Sequence, residues 1–474
     1  MQRKGLLPTQ GFAGVAERLA TWLRGALRAV EAPENKLLTR EVSLGKLDPG
    51  MVGQSFVVSS DSRRVAYAAV RGGKWLAVVD GVEGKEYDGI GEGSLVFSPD
   101  SRRVAYAAQR GDKQLVVVDG VKGKEYDGIA SLLFSPDSKR VAYIVGRGGR
   151  HFIVVDGVKS KEYDRVASLL FSPDSKRVAF MAARGHTRFA VVDGVEGKEY
   201  DGMGEGSLVF SPDSRRVAYA AQRSDKQLVI VDGAKGKEYN GMASLLFSPD
   251  SKRMGYAALD GGKWLVVMDG VKGKEYDGIA SVVFSPDSRR VAYDARRGGK
   301  RLVVVDGVEG KAYDGIGEGP IFSPDSRRVA YAAQRGGKQL AVVNGVEEKE
   351  YEGILRGSFV FSPDSKRVAY ATRRGDKWLV TVDGVEGKPY DGIVAEGPVF
   401  SPDSRFVAYA ARRGHKGLVA VDGLEGKKYE DFLKGSRLVF DGPDRLHALA
   451  TRGGELLGVE IEIITPAVGT AAPH

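Results

Sequence analysis

The stretch FSPDSRRVAY, Phe97 to Tyr106, returns with little change as far as Tyr409. Its Asp falls at 61, 100, 137, 174, 213, 250, 287, 325, 364 and 403, at intervals of 37 to 39 residues. An eleventh, eroded copy, VFDGPDRLHALATRGGELLGVEIEI, follows from Val439. The segment from Val82 closely matches the one from Val195, which points to duplication of a block of three copies. A fixed period of this length means one supersecondary unit repeated, so the usual rule of domain size does not apply.

Within the second copy four short runs read as strands a to d: SLVF from Ser94, RVAYAAQ from Arg103, QLVVVDG from Gln114 and KEYDGI from Lys124. Each is β-branched or aromatic and bounded by turn residues. The a–b link, SPDS, places Pro at the second position of a type I turn. RGDK or RGGK closes b–c. The Glu-Gly or Lys-Gly pair of VEGK or VKGK is expected to turn between c and d. Links this short force antiparallel pairing with sequence neighbours, giving a four-stranded meander. Strand c is apolar at nearly every position, as a strand covered on both faces must be. Copies that stack face to face around an axis bury both faces, which is the all-β propeller architecture.

Eleven a–b–c sets are matched by only ten KEYDG-type d strands, because the last copy ends after c near Glu462. REVSLGK, from Arg40, stands before the first a strand, where it can complete the last blade and remove its open edge. The expected fold is a single propeller of eleven four-stranded blades fastened by both chain ends; two tandem propellers are the rival. Uniform intervals and the lack of an interrupting linker favour one ring. Sheets about 10 Å apart would leave an opening of about 10 Å on the axis. The expected organisation is an N-terminal amphipathic helix and linker over residues 1–38, the propeller over 39–464, and a disordered tail over 465–474.

The pairing of FSPDSRRVAY with VVVDG resembles the WD-like repeats of TolB-type β-propellers, over roughly residues 40–462. The resemblance implies a protein-interaction platform and little more. One departure matters: that family usually carries Gly after SPD, whereas every copy here has Ser. The turn is therefore expected to avoid positive φ and to adopt a tighter type I geometry.

Composition is that of a globular chain, with 71 Lys and Arg against 62 Asp and Glu, a formal charge of +9. A moderate basic surplus favours anionic partners without naming one. The chain has no cysteine, which excludes disulfides, thiolate metal sites and Cys nucleophiles. No apolar run is long enough to span a membrane. The N-terminus lacks the unbroken apolar core of a secretory signal, since Glu17, Arg18, Arg24 and Arg28 interrupt it. The expected location is the cytoplasm, with export left open should the true start lie elsewhere. Residues 12–30 carry Phe12, Val15, Leu19, Trp22, Leu23, Ala26, Leu27 and Val30 at helical spacing. Such a helix can pack on the propeller, plug its channel, or meet a membrane surface or partner helix.

Catalysis needs a residue that its repeat counterparts lack, and few stand out. All nineteen tyrosines fall on the RVAY and KEYD positions and read as structural. Trp75, Trp264 and Trp378 share one strand-c position and are candidate stacking platforms. His151, His186, His415, His447 and His474 show no metal-ligand spacing. The SPDS serines have no positioned His, and no phosphate loop occurs. No catalytic, cofactor or metal residue is assigned. The b–c loops carry Arg71, Arg110, Arg147, Arg184, Arg223, Arg297, Arg335, Arg374 and Arg413 at one repeat position. Arg452 stands one place earlier in the last copy, and Asp260 is the exception. These arginines form a candidate binding rim for phosphates or carboxylates, unless they pair with neighbouring Asp and Glu. The expected function is a non-catalytic scaffold binding a protein through the propeller face and channel mouth, with an acidic partner as one option. The alternatives are polyanion or nucleic-acid binding through the rim, or service as an enzyme's accessory subunit. A monomer is expected.

Overall fold

The computed structural model describes residues 35–465. The helix read over residues 12–30 and the tail beyond Thr465 lie outside them. Eleven separate antiparallel sheets follow one another along the chain, each a four-stranded meander in the order a–b–c–d. Blade 3 is typical: a is Gly128–Phe134, b is Val141–Arg147, c is Arg150–Val155 and d is Val158–Lys159. The GI of KEYDGI opens strand a of the next blade and does not close strand d. Gly128 pairs with Gly146 of strand b, so the chain turns at Asp127, earlier than the sequence reading placed it.

Strand b is buried at its first five positions in almost every blade, for example Val104 to Ala108. Alternation sets which neighbour each side chain meets. Ala105, Val116 and Tyr126 of blade 2 pack against Val141, Tyr143, Val145, Phe152 and Val154 of blade 3. The small Ala side of one blade receives the large Tyr and Val side of the next, which allows near-identical sheets to nest. All nineteen tyrosines are buried and serve the packing between blades.

The ring closes as the strand count requires. Lys36–Lys46 pairs with Glu455–Ile464 as the outer strand of blade 11, with Leu37 opposite Ile463 and Glu41 opposite Val459. Blade 11 then packs on blade 1 through Leu449 and Leu456 against Val65, Tyr67 and Leu76. The chain is a single closed β-propeller of eleven blades.

Two turns differ from expectation. The c–d turn is formed by the Asp-Gly pair and not by Glu-Gly or Lys-Gly. Asp119 has φ 50° and Gly120 φ 78°, with Val118 opposite Val121, a type I′ hairpin. The following Lys-Gly pair lies inside strand d at a register shift. A Cβ on Gly123 would stand 3.0 Å from the Val116 carbonyl oxygen, which explains the glycine.

The Ser after SPD does adopt positive φ, contrary to the expected avoidance. In blade 2 the type I turn is present, with Ser101 N–H donating to the Ser98 carbonyl at 2.8 Å. Ser101 itself follows in the left-handed region at φ 63°, as the third of the four residues that link the paired Ser98 and Arg103. The cost of that conformation for a non-Gly residue is offset by a bond between blades. Its buried hydroxyl accepts the Asp61 N–H of blade 1 at 3.1 Å. The same bond runs from Asp100 to Ser138, from Asp137 to Ser175, and on to Asp364 and Ser404. Glycine would relieve the strain and lose this contact.

A second bond set fastens the same rim. Arg140 donates through Nε to Asp156 at 2.8 Å and through Nη1 to the carbonyls of Ser175 and Lys176 in blade 4. Its guanidinium lies over the Phe171 ring of blade 4. Equivalent arginines occur from Arg64 to Arg367; blade 10 has Phe406 there instead.

Candidate interaction surfaces

The b–c hairpins and d–a loops share one rim, and the predicted arginines stand on it at the last residue of strand b. Arg452 pairs with Glu455 as Arg71 pairs with Lys74, so it occupies the common position and not an earlier one. Each arginine meets a carboxylate on strand d of its own blade or, for Arg147, just after it. Arg71 bonds Glu83 at 2.7 Å and also Asp48. Arg110 reaches Glu125, Arg147 reaches Glu162, Arg184 reaches Glu196 and Arg223 reaches Glu238. Arg297 bonds Glu309, Arg335 bonds Glu347 and Glu350, and Arg374 bonds Glu386. Arg413 holds Glu425, and Arg452 holds Glu41 of the closing strand, both at 2.5 Å.

Several of these carboxylates also join neighbouring blades. Glu309 accepts from Arg297 of its own blade and from the Tyr276 hydroxyl of blade 6 at 3.0 Å. Those two donors, Arg297 first, hold its carboxyl down at about 2. Glu347 is likewise held at about 2 by Lys311 of blade 7 and then by Arg335.

Asp260, the exception in the ring, faces Lys272, so the pair has swapped sign. Asp260→Arg should place two cations together and slightly lower the denaturation midpoint; adding Lys272→Glu should restore it. A denaturant double-mutant cycle with no coupling would contradict the pairing.

Trp75, Trp264 and Trp378 sit beside this rim as the second residue of strand c, opposite Tyr87, Tyr276 and Tyr390. All three are half-buried. Blade 2 carries Gln114 there, whose side-chain oxygen accepts the Ile129 N–H of blade 3 at 2.8 Å. This position therefore covers the gap to the following blade.

Glu318, on strand a of blade 8, accepts the Gly357 N–H of blade 9 at 3.1 Å. Burial pushes its carboxyl up to about 7, against the pull of that bond and of Arg356. A carboxyl raised in the folded state favours the protonated fold. Its stabilising effect is full below the unfolded value of 4.5 and is lost as pH rises through 7. Glu318→Gln should therefore remove a decline in melting temperature between pH 4.5 and 7. An unchanged pH profile in the variant would contradict this.

The seam between blades 11 and 1 departs from the other interfaces, and sequence reading missed it. His447 stands where strand b of blade 1 has Ala66, and Glu460 where strand c has Val79. The buried His447 ring lies 2.8 Å from Asp441 Oδ2 through Nδ1 and 2.6 Å from the Asp61 carbonyl of blade 1 through Nε2. Arg63 of blade 1 bonds Asp441 at 2.8 Å. Burial pushes the Asp441 carboxyl up, and the bonds from His447 and Arg63 more than cancel it, leaving it below its usual range. Beside this cluster lies a groove of about 640 Å³ lined by Leu38, Arg40, Arg63, Arg445, Glu460 and Glu462. The signal for it was the break in the repeat, where DRLHALA replaces DSRRVAYA.

Among the described residues no group of three or more His, Asp or Glu side chains converges as a metal site, and no helix is long and apolar enough to cross a membrane.

The fold and its two rims define the chain as an eleven-bladed β-propeller. No family model matches the sequence, and no curated protein matches it. Solved structures it is similar to include a eukaryotic initiation factor, at 12% identity and TM-score 0.40, covering 70% of this chain and 98% of that one. TolB from Acinetobacter baumannii aligns at 17% identity and TM-score 0.25, covering 53% and 77%. The Dos1 propeller aligns at 11% identity and TM-score 0.32, covering 62% and 90%. The blade count rests on the strand pairing described above, independently of these likenesses.

Proposed function

We propose that this propeller is a non-catalytic interaction scaffold that presents the b–c and d–a rim, with the adjoining channel mouth, to a protein partner. The observation behind this reading is the fate of the repeated polar side chains. The SPDS serines, the arginines from Arg64 to Arg367 and the Asp of each Asp-Gly turn are mostly engaged in bonds within and between blades. Those groups serve the ring, and recognition falls to loop residues that differ from blade to blade. The rim arginines favour a protein over a long polyanion, because each already holds a carboxylate and a phosphate would have to displace it. Affinity capture with the full chain at low and high salt tests the proposal. Salt-resistant capture of one protein is the expected result; salt-labile capture of nucleic acid alone would overturn it.

A further inference from the structure

Near-identical blades provide an internal control, since a side chain that the ring requires recurs around it. Blade 4 breaks this pattern at two adjacent places, both to arginine. Arg165 opens its strand a, whereas every other blade from 2 to 10 opens strand a on Gly. Arg188 occupies the second position of strand c, which is Trp, Gln, His, Gly or Leu in the other blades except blade 7, where it is Arg301. The two arginines flank the same residue, for Ala183 of strand b pairs with Arg165 on one side and Arg188 on the other.

Neither guanidinium has an ion-pair partner among the described residues, although the predicted rim arginines all do. Blade 7 shows what a structural arginine at this position looks like. Arg301, the counterpart of Arg188, is held by the buried Asp294 of strand b. Blade 4 carries Met181 in place of that Asp, opposite Ala190 where blade 7 has Val303. Arg188 is therefore exposed and left without the carboxylate that its counterpart has.

Between blades 4 and 5 these residues surround a cavity of about 240 Å³. Val166, Met181 and Met203 give it an apolar lining, and Glu205 of blade 5 is the carboxylate among its lining residues. Two free guanidiniums beside a small apolar recess suit a carboxylate next to an apolar side chain, because an Arg pair binds carboxylates in the plane of its fork. A long polyanion fits poorly. Asp164 and Asp201 flank the spot, and the nearby Arg184 is already committed to Glu196.

We infer that the blade 4–5 recess is the docking site for an acidic segment of a protein partner, with a Glu or Asp bridging Arg165 and Arg188 and an adjacent apolar residue seated on Met181 and Met203. This rests on the scaffold reading and assigns that scaffold's specificity to one place on the ring.

The test is selection of random heptapeptides displayed on phage against the full-length protein. Two variants serve as controls. Arg165→Gly with Arg188→Gln restores the residues of other blades, and Met181→Asp copies the Asp294 pair of blade 7. The double arginine variant should keep the parent melting temperature, and Met181→Asp, which exchanges a buried methionine for a carboxylate held by Arg188, should stay folded with a lower one. Selected peptides should be enriched in Glu or Asp beside an apolar residue and bind each variant at least tenfold more weakly by fluorescence anisotropy. Peptides without acidic enrichment, or bound equally by parent and variants, would overturn the site while leaving the scaffold reading in place. Failure to select any peptide, together with no salt-resistant protein capture, would count against both. A labelled decathymidylate that binds more tightly than the selected peptides, and is lost in the variants, would assign the arginines to nucleic acid and overturn the inference.

Discussion

A chain that begins at residue 47, and so lacks the closing strand Lys36–Lys46, is expected to lose the monodisperse ring. That strand pairs along nearly the whole of Glu455–Ile464. Its Glu41 bonds Arg452 at 2.5 Å, the Tyr429 hydroxyl at 2.9 Å and Lys427 at 3.6 Å, and Leu37 packs on the blade 10–11 core. Without it, Glu455–Ile464 becomes an open, largely apolar edge and blade 11 has three strands. The loss should exceed about 5 kcal/mol, comparable with the whole net stability of an ordinary domain. Against a chain that begins at residue 35, the melting temperature should fall by at least about 10 °C. Light scattering should show larger species, since an unpaired edge recruits other chains. A monomer with an unchanged melting temperature would mean that the ring does not depend on its fastening.

The next largest effect is expected at the arginines that bridge blades. Arg140→Ala removes the bond to Asp156, two bonds to blade 4 carbonyls and the contact over Phe171. It should cost about 2–4 kcal/mol, because charge-assisted bonds at a partly covered site exceed ordinary surface pairs. Asp156→Asn should cost less. Blade 8 already uses Asn344 in that role, where it still accepts the Val329 N–H at 2.9 Å. There Arg328 keeps its bonds to the carbonyls of Ser365 and Lys366 in blade 9. Chemical denaturation measures the loss, and amide exchange in blades 3 and 4 locates it. A loss within about 0.5 kcal/mol for Arg140→Ala would reduce these bonds to surface decoration.

The fold was legible because its evidence is local and repeated. Strand runs, short turns and a fixed interval are properties of neighbouring residues, and eleven copies make the pattern plain. The missing d strand at one end and the surplus strand at the other point to closure by counting alone. Turn chemistry was read less well. Glu-Gly in VEGK looks like a turn pair by composition, yet the Asp-Gly before it supplies both positive φ angles. Backbone cost alone would keep SPDS out of the left-handed region. The compensating bond lies in the next blade, nearly forty residues away.

The sites follow the same division. Repetition singled out Arg71 and its counterparts as a basic ring, but their carboxylate partners lie on strand d, across the sheet. Whether they are paired depends on how strands lie side by side. Arg165 and Arg188 were visible as letters and silent as signals. They become distinctive only when the strand register places them beside one Ala and shows that Arg301 has a carboxylate where Arg188 has Met181. The amino-acid order by itself determined blade number, strand sequence and the fastening of the ends, since these follow from short-range propensity and periodicity. Only the tertiary structure decided which charges cancel, which serine strains are offset and which arginines stay free, because each depends on atoms that adjacent blades bring within bonding distance.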